Sequence, residues 1–258
     1  MNVTEKNGKL FAYEKDNEIF KISQWQRGKN KATGKVEKFS GNKDSLVEWL
    51  KNLKKNIEKD FSIKKLELNL GKLYLADQIV DDIVICNRGM MQLNLRKYEP
   101  DNEVSESLGE YKPFELVDLK KHINEIYKAT PDFDRNYMGV KNPNELYEVY
   151  ERAILKEEFG SMNPDLSFEL VNPFRGFILS IDLINKNNNF LIGDLLVLPK
   201  HRNKGLGTAL IKEVLKRSKT KGYHKALLVV TLKNPAFAIY KKIGFSFIAK
   251  TTLMLVNN

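Results

Sequence analysis

The feature that most constrains this chain is an apolar strand that runs through a basic, glycine-bearing turn into a helix. It is the segment LVLPKHRNKGLGTALIKEVL, residues 195–214. Lys200, Arg202 and Lys204 concentrate positive charge in the turn, and two glycines follow them. The first N–H groups of a helix have no intrahelical partner and lie at the positive end of its dipole. The segment therefore predicts an anion-binding turn between a strand and a helix.

Apolar strands alternate with amphipathic helices on both sides of this turn. Residues 190–197 and 225–232 are short runs of Leu, Val and Ile, typical of buried strands. Asn234 and Pro235 suit the cap and the first position of a second helix, which Gly244 ends. Upstream, the pattern predicts helices near 115–130 and 142–159 and strands near 166–171 and 174–184.

Composition shifts divide the chain into two parts and a connection. Residues 96–111 are polar, acidic and broken by Pro and Gly, which predicts a linker before an α/β domain at 112–258. Within the remaining residues, 1–95, the apolar pattern of 44–95 aligns without a gap with that of 205–256. An internal repeat and a chance agreement between two α/β segments both explain this alignment. The first copy lacks the paired glycines, so we expect a degenerate, partial domain there.

Composition narrows the class of protein. Apolar residues make up 42% of the chain and charged residues 29%, and no apolar run reaches the roughly 20 residues of a membrane helix. The first residues lack the features of a secretory signal or a transit peptide, so a cytoplasmic protein without a membrane partner is expected. Cys86 is the single cysteine and the three histidines are scattered, which predicts neither a disulfide nor a metal site. The net charge of +10 favours an anionic ligand or partner, or reflects a Lys-rich solvated surface.

The turn carries neither of two common phosphate-binding motifs. Walker A requires G-x-x-x-x-G-K-[ST] and the dinucleotide fingerprint G-x-G-x-x-G, and here Leu210 stands where the third glycine would be. Instead, the strand is followed by Arg202-x-x-Gly205-x-Gly207, and residues 236–245 read A-x-x-x-Y-x-x-x-G-F. These two motifs, in this order, resemble the GNAT acyltransferase superfamily over residues 112–258. The resemblance implies the α/β (α+β) class, with a mixed, mostly antiparallel central sheet flanked by helices and a smaller N-terminal partial GNAT-like domain, as in tandem members.

The resemblance further implies acetyl-CoA as co-substrate and no metal. The N–H groups of residues 203–208 would bind its pyrophosphate, and the edge of the preceding strand would pair with the pantetheine. Asn234 lies two residues before the helix alanine, where the family has three, which leaves its contact with CoA open. The implied cofactor-binding residues are Leu195, Leu196, Val197, Arg202, Asn203, Lys204, Gly205, Leu206, Gly207, Thr208 and Asn234.

Acyl transfer to an amine needs a base for the ammonium, a donor for the oxyanion and an acid for the thiolate. The resemblance implies Tyr240 as the acid and the N–H of Val197 as the oxyanion donor. Asp194, on the strand before the turn, is the candidate base, and Glu169 or Asp182 could act through water instead. Tyr240 and Asp194 also suit purely structural roles, in a core and on a strand surface.

The acceptor in this family enters between the first two helices and the last strands. Carboxylates there would suit a cationic amine. We therefore expect an N-acetyltransferase, monomeric or homodimeric, that acts on a primary amine of a small molecule or peptide, with nucleic acid not an expected partner. The alternatives are transfer of another acyl group and a non-catalytic CoA-binding or nucleic-acid-binding module. The candidate acceptor-site residues are Asp132, Asp134, Tyr137, Glu148 and Glu157 or Glu158.

Overall fold

The structure is a computed structural model of the whole chain. It describes all residues except 29–30, 62–64, 71–72, 74, 76, 81–82, 101–107, 156, 158–159, 184–187 and 258. Residues 101–107 of the predicted linker and the candidate acceptor residue Glu158 lie outside the described residues.

Within residues 112–258 the structure contains the helices and strands that the sequence predicts, in the predicted order. The strands are β1 (Asn2–Lys6), β2 (Lys9–Glu14), β3 (Asn17–Arg27), β4 (Lys31–Phe39), β5 (Lys65–Asn69), β6 (Gln78–Val80), β7 (Ile83–Asn94), β8 (Tyr111–Pro113), β9 (Gly160–Met162), β10 (Phe168–Leu170), β11 (Gly176–Leu183), β12 (Asn189–Val197), β13 (Lys225–Thr231) and β14 (Ser246–Asn257). The α-helices are α1 (Leu46–Phe61), α2 (Leu116–Ala129), α3 (Asp132–Met138), α4 (Pro143–Leu155), α5 (Leu206–Thr220) and α6 (Ala236–Ile243).

The chain divides into two compact units that do not follow the order of the sequence. Unit 1 consists of Met1–Arg88 and Lys250–Asn258, and unit 2 of Gly89–Ala249. Strands β7 and β14 each begin in one unit and end in the other. The sequence predicts separate domains at 1–95 and 112–258 with a linker at 96–111. Whether these parts fold independently is a different question from how the chain forms compact units, so these boundaries stay a prediction.

In unit 1, β1 to β4 form an antiparallel meander, and β4 pairs in parallel with β5 through the crossover helix α1. Residues Leu253–Asn257 of β14 then pair antiparallel with β5. The end of the chain therefore completes the sheet of the N-terminal unit. Helix α1 buries one face, at the three- and four-residue spacing of an amphipathic helix, through Leu46, Leu50, Leu53 and Ile57.

In unit 2, the strands lie in the order β13, β12, β11, β10, β8, and β9 also pairs with β11. Only β12 and β13 are parallel among these described pairs, and α5 connects them. The mixed, mostly antiparallel sheet predicted from the sequence is confirmed. Strands β8 and β9 and helix α3 were not predicted, because elements of three or seven residues are too short to show a periodic pattern.

Unit 2 has a hydrophobic core on each face of its sheet. On β11, Ile178 packs with α5 and α6, whereas Phe177 and Leu179 pack with α2 and α4. This alternation is the two-residue period of a strand that is covered on both faces. Strand β12 continues the pattern, with Ile192 in the α5 core and Leu196 in the α2/α4 core.

The internal repeat agrees with the structure at three of its four elements. Helix α1 and strands β5 and β7 occupy the positions that align with α5, β13 and β14. The second helix expected in the first copy is wrong, because Gln78–Val80 form β6, which pairs with Ile83–Ile85. The β-branched residues of this segment, Ile79, Val80, Ile83 and Val84, favour a hairpin over a helix. Within the described part of the chain, no helix is long and apolar enough to cross a membrane.

Candidate functional site

The parallel pairing of β12 and β13 ends part-way along both strands. Its last pair is Ile192 with Leu228, although β12 continues to Val197 and β13 to Thr231. The register of β12 on its other neighbour, β11, skips Gly193, which forms a β-bulge at the same level. Beyond the bulge β12 stays paired with β11, whereas its pairing with β13 has stopped. We call the region between the ends of β12 and β13 the opening, and the last residues of β12 form its edge.

The side chains of β12 beyond the bulge are occupied by packing. Leu195 and Val197 are partly buried against the α5 core, and Leu196 is buried in the α2/α4 core. Any ligand in the opening would therefore meet the backbone of these three predicted cofactor residues. A strand edge of this kind can pair with an extended amide-bearing chain.

The segment after β12 turns into α5 through left-handed backbone. A short 3₁₀ turn, Pro199–His201, is followed by Asn203 at φ 60° and Gly205 at φ 79°. Helix α5 begins at Leu206, and the N–H of Ala209 donates to the carbonyl of Gly205 over 2.9 Å. The N–H groups of the first three helical residues precede this bond and are available to an anion. We call residues 199–208 the anion-binding turn, after the binding that the sequence predicts for them.

The two glycines of the anion-binding turn serve different needs. Gly205 requires the left-handed conformation, and a Cβ built on it would meet no atom within 4 Å, so the space beside it is open. A Cβ on Gly207 would lie 3.8 Å from Cγ2 of Val197. The glycines therefore leave a clear approach to the helix N-terminus, next to the end of β12.

Arg202 holds the anion-binding turn to the rest of unit 2. Its Nε donates to the carbonyl of Val197 over 2.9 Å and its Nη2 to the carbonyl of Ala129 over 2.8 Å. The guanidinium thus links the end of β12 to the end of α2. The predicted contact of Arg202 with CoA stays a prediction, and the structure gives the residue a positioning role that the motif did not reveal.

Positive charge surrounds the anion-binding turn. Lys204 is exposed, and the ammonium of Lys200 lies 3.8 Å from the carboxylate of Glu125. Burial, together with the charges of Lys200 and Lys204, lowers the pKa of His201. Lys200 and Lys204 thus place positive charge beside the imidazole at the turn, which favours an anionic ligand.

Asp194 lies directly after the bulge, on the face of the sheet that α4 covers. Its Oδ2 accepts a hydrogen bond from the Tyr150 hydroxyl over 2.5 Å, and its Oδ1 accepts one from the N–H of Leu195 over 2.7 Å. Tyr150 is buried, with 6% of its surface exposed, whereas Asp194 is half-buried. The predicted base is therefore a carboxylate held at the opening between β12 and β13.

Asp134, one of the candidate acceptor residues, lies at the β13 side of the same opening. Its Oδ1 accepts a hydrogen bond from the Thr231 hydroxyl over 2.7 Å, and its Oδ2 lies 3.4 Å from Nδ2 of Asn234. The Oδ1 of Asn234 accepts from the N–H of Ala236 over 3.0 Å, which is the capping role expected of it. Its amide therefore links α6 to α3, and its contact with CoA stays a prediction.

Tyr240 lies on α6 in the α5 core of unit 2. The residue is buried, with 7% of its surface exposed, and its ring packs edge-on against Phe245 at 5.9 Å between centroids. Packing therefore fixes the position of its ring. Its role as the acid stays a prediction.

The alternative bases hold other partners. Burial raises the pKa of Glu169, and its Oε1 lies 3.1 Å from the ammonium of Lys112. Asp182 accepts a hydrogen bond from the Tyr223 hydroxyl over 2.6 Å. Burial, followed by Asp182, raises the pKa of Tyr223 to about 12. Of the three candidate bases, Asp194 is the one that directly follows the bulge at Gly193.

Tyr150 and Thr231 are the site residues that the sequence did not single out. Tyr150 lies on the buried face of α4 together with Leu146. A tyrosine on a buried helix face needs a partner for its hydroxyl, and that requirement was the available signal. Among the described residues no group of three or more His, Cys, Asp or Glu side chains could hold a metal ion.

Comparisons with known proteins agree with this architecture. The family model described as FR47-like protein matches residues 181–254, which contain β12, the anion-binding turn, α5, β13 and α6. The fold is similar to that of a GCN5-related N-acetyltransferase from Sphaerobacter thermophilus, with a TM-score of 0.57 and 13% identity over 96% of this chain and 80% of that chain. A tandem GNAT protein from the clavulanic acid biosynthesis pathway gives a TM-score of 0.50 and 10% identity over 96% of this chain and 82% of that chain. No curated protein matches the sequence.

The chain has the GNAT fold, and the resemblance to the GNAT superfamily that its two motifs indicated is confirmed. A further similar structure, a conserved protein of unknown function from Staphylococcus epidermidis, has a TM-score of 0.50 and 11% identity over 100% of this chain and 94% of that chain. At sequence identities this low, the similarity shows a shared fold alone. Any substrate named for these proteins applies to them and not to this chain.

Proposed function

We propose that unit 2 is an acetyl-CoA-dependent N-acetyltransferase that acts on a primary amine. The observation that carries the proposal is the continuity of residues 193–208. Within this one segment the edge of β12 at the opening leads directly into the anion-binding turn. An extended amide-bearing arm joined to a pyrophosphate is the ligand that both features suit.

The residues present fit the pyrophosphate end of coenzyme A. Gly205 leaves open space at the helix N-terminus, and Lys200 and Lys204 supply positive charge around it. Bound acetyl-CoA would supply an acetyl group activated as a thioester. The backbone of residues 195–197 would orient the pantetheine arm along the opening.

The transfer forms a bond from the amine nitrogen to the carbonyl carbon and breaks the bond from that carbon to sulfur. An amine that enters as an ammonium loses two protons on the way to the amide. The thiolate gains one proton to become the thiol of CoA, and the other proton is released to water. Asp194 is the proposed acceptor of the amine proton, and Tyr240 the proposed donor to sulfur.

Calorimetry with coenzyme A and a CoA-release assay test the proposal together. The assay is run with acetyl-CoA against polyamines, aminoglycosides, amino acids and peptide N-termini. We expect CoA to bind the folded protein and at least one amine to give stoichiometric acetylated product. Absence of CoA binding would overturn the proposal, and salt-sensitive nucleic-acid binding without acetyl transfer would favour a non-catalytic module.

A further inference from the structure

We propose that Tyr150 is a positioning residue that holds Asp194 as an ionised carboxylate at the opening between β12 and β13. The acceptor is then a protonated amine that carries no carboxylate beside its nitrogen. This inference rests on the proposed function, because it assigns the amine-binding side of the same site.

Two contacts fix the position of Tyr150: its ring is buried in a core, and its hydroxyl bonds to a residue of β12. The ring is fixed in the α2/α4 core and meets the ring of Phe177 edge-on at 5.9 Å between centroids. Its hydroxyl leaves this core to donate to Asp194 over 2.5 Å. Because Asp194 directly follows the bulge at Gly193, the hydrogen bond fixes the carboxylate where the pairing of the two strands ends.

The Tyr150 hydroxyl and the N–H of Leu195 both donate hydrogen bonds to the Asp194 carboxylate. Hydrogen bonds to the charged form of an acid favour that form. Asp194 can therefore serve as the counter-ion of the incoming amine and then accept its proton.

Tyr150 acts as a hydrogen-bond donor throughout the neutral pH range. Burial, then the carboxylates of Asp194 and Asp134, raises the pKa of Tyr150 well above its ordinary value. The phenol therefore keeps its proton. Asp194 and Asp134 are the charged groups that act on it, and they come from β12 and α3, on the two sides of the opening.

The same two carboxylates select the substrate. Asp134 is half-buried and fixed by the Thr231 hydroxyl, and Asp194 is half-buried and fixed by Tyr150. Their negative charges favour an ammonium group and oppose a carboxylate on the adjacent carbon. Alkylamines, polyamines, amino sugars and amino-acid amides fit this requirement, whereas free α-amino acids do not.

Tyr150→Phe tests the positioning role, with the best acceptor from the CoA-release assay. The ring and its packing are kept, and only the hydroxyl is lost. A hydrogen bond to a charged group contributes ~1.5–3 kcal/mol, which corresponds to a tenfold or larger rise in the KM of the amine. We expect the KM of acetyl-CoA to stay unchanged and the acid limb of the kcat/KM profile to move to higher pH.

Tyr147→Phe is the matched control. Tyr147 lies one turn earlier on α4, where its ring contacts the ammonium of Lys120 at 5.1 Å. If both variants give the same acceptor KM and the same pH profile, the inference is overturned while the proposed function stands. If the wild-type protein binds CoA and acetylates no amine, the proposed function fails, and this inference fails with it.

Two further measurements bear on the two halves of the inference. In spectra of ¹³C-labelled tyrosine, Asp194→Asn should lower the pKa of Tyr150 and leave the pKa values of the other tyrosines unchanged. An unchanged pKa of Tyr150 would overturn its pairing with Asp194.

For the substrate class, alanine and alaninamide enter the acceptor panel as a pair that differs in the carboxylate. A best acceptor with a carboxylate on the amine-bearing carbon, or equal use of the pair, would overturn the selection of a carboxylate-free amine.

Discussion

Single side chains in this site owe their positions to hydrogen bonds that cross between elements far apart in sequence. The guanidinium of Arg202 reaches the carbonyl of Ala129, and the hydroxyl of Thr231 reaches the carboxylate of Asp134. Each partner comes from a helix of the α2–α4 group, while its mate lies on or after a strand. Local sequence pattern identifies such residues as polar but does not identify their partners.

Tyr240→Phe should separate the chemistry of the phenol from the packing of its ring. The ring contact with Phe245 is kept, so the CoA affinity should stay close to that of the wild type. Loss of a positioned acid is expected to lower kcat by about 10²-fold. Steady-state kinetics and calorimetry provide the measurements.

The control for this change is Tyr223→Phe, which removes the hydroxyl of a half-buried tyrosine in a different part of unit 2. That hydroxyl donates to Asp182, so its loss should lower the free energy of unfolding by about 1 kcal/mol without affecting kcat. Equal kcat values for the wild type and Tyr240→Phe would remove Tyr240 as the acid.

Asp118→Asn should remove part of the acid sensitivity of unit 2. Hydrogen bonds from Lys112 and Lys121 lower the pKa of Asp118 to about 2, below its ordinary value of 3.8. A folded-state pKa below the unfolded one stabilises the protein above the unfolded value, and this contribution is lost as the pH falls from 3.8 through 2. Denaturant unfolding between pH 2 and pH 6 should show a shallower decline in the variant.

Asp165→Asn is the control for this series, because Asp165 is an exposed partner of Lys221 on the surface of unit 2. Its curve should follow that of the wild type. An Asp118→Asn curve that is parallel to the wild-type curve throughout would contradict the assignment.

At the scale of whole elements, the sequence predicts the strands and helices that form the site more closely than it predicts how they pair. Strand β12, helix α5, strand β13 and helix α6 lie within a residue or two of their predicted positions, because long apolar periodicity, glycine and a helix cap all act locally. The point at which the pairing of β12 with β13 ends was not visible in the pattern. It depends on the bulge at Gly193 and on the pairing with β11, which are properties of the assembled sheet.

Gly205→Val should weaken CoA binding by at least about tenfold, which is ~1.4 kcal/mol. The added side chain would fill the open space beside the helix N-terminus and would strain a φ of 79°. Isothermal titration with coenzyme A measures the effect.

Gly222→Val separates obstruction from strain, since Gly222 follows the other end of α5 with φ 81° and equally open space. Both variants should lose ~1–3 kcal/mol of unfolding free energy through backbone strain. Comparable CoA affinities in the two variants would show that Gly205 does not mark the binding site.

At the scale of the whole molecule, each of the two units contains a segment that the sequence assigned to the other part of the chain. Residues 89–95 contribute Met91, Leu93 and Leu95 to the α5 core of unit 2, although the sequence placed them with the first part. The end of β14 contributes Met254 to the core of unit 1, although the sequence placed it with the last part. A fragment that begins at residue 112 would therefore lack these three side chains and the buried Leu108 of the same core.

Removal of residues 250–258 should destabilise the N-terminal unit. Met254 is fully buried in unit 1, and Leu253–Asn257 pair with β5, so loss of the segment should cost unit 1 ~3 kcal/mol or more. Hydrogen exchange at the amides of Lys65–Asn69 measures the effect directly. A chain that ends at Val256 keeps most of these pairs and is the control. Unchanged protection of β5 in the shorter chain would contradict the strand assignment.

The sequence by itself predicted β12, α5, β13, α6 and the glycine-bearing turn between β12 and α5, because strand periodicity, helix caps and the flexibility of Gly205 act over a few neighbouring residues. It also indicated the resemblance to the GNAT superfamily, through the two motifs around Gly207 and Tyr240. Only the tertiary structure decided that Tyr150 holds Asp194, that Arg202 fastens the turn to α2, and that β14 ends in the sheet of the first unit. These contacts join residues separated by many positions along the chain, and their partners are selected by packing and by the need of buried polar groups for hydrogen bonds.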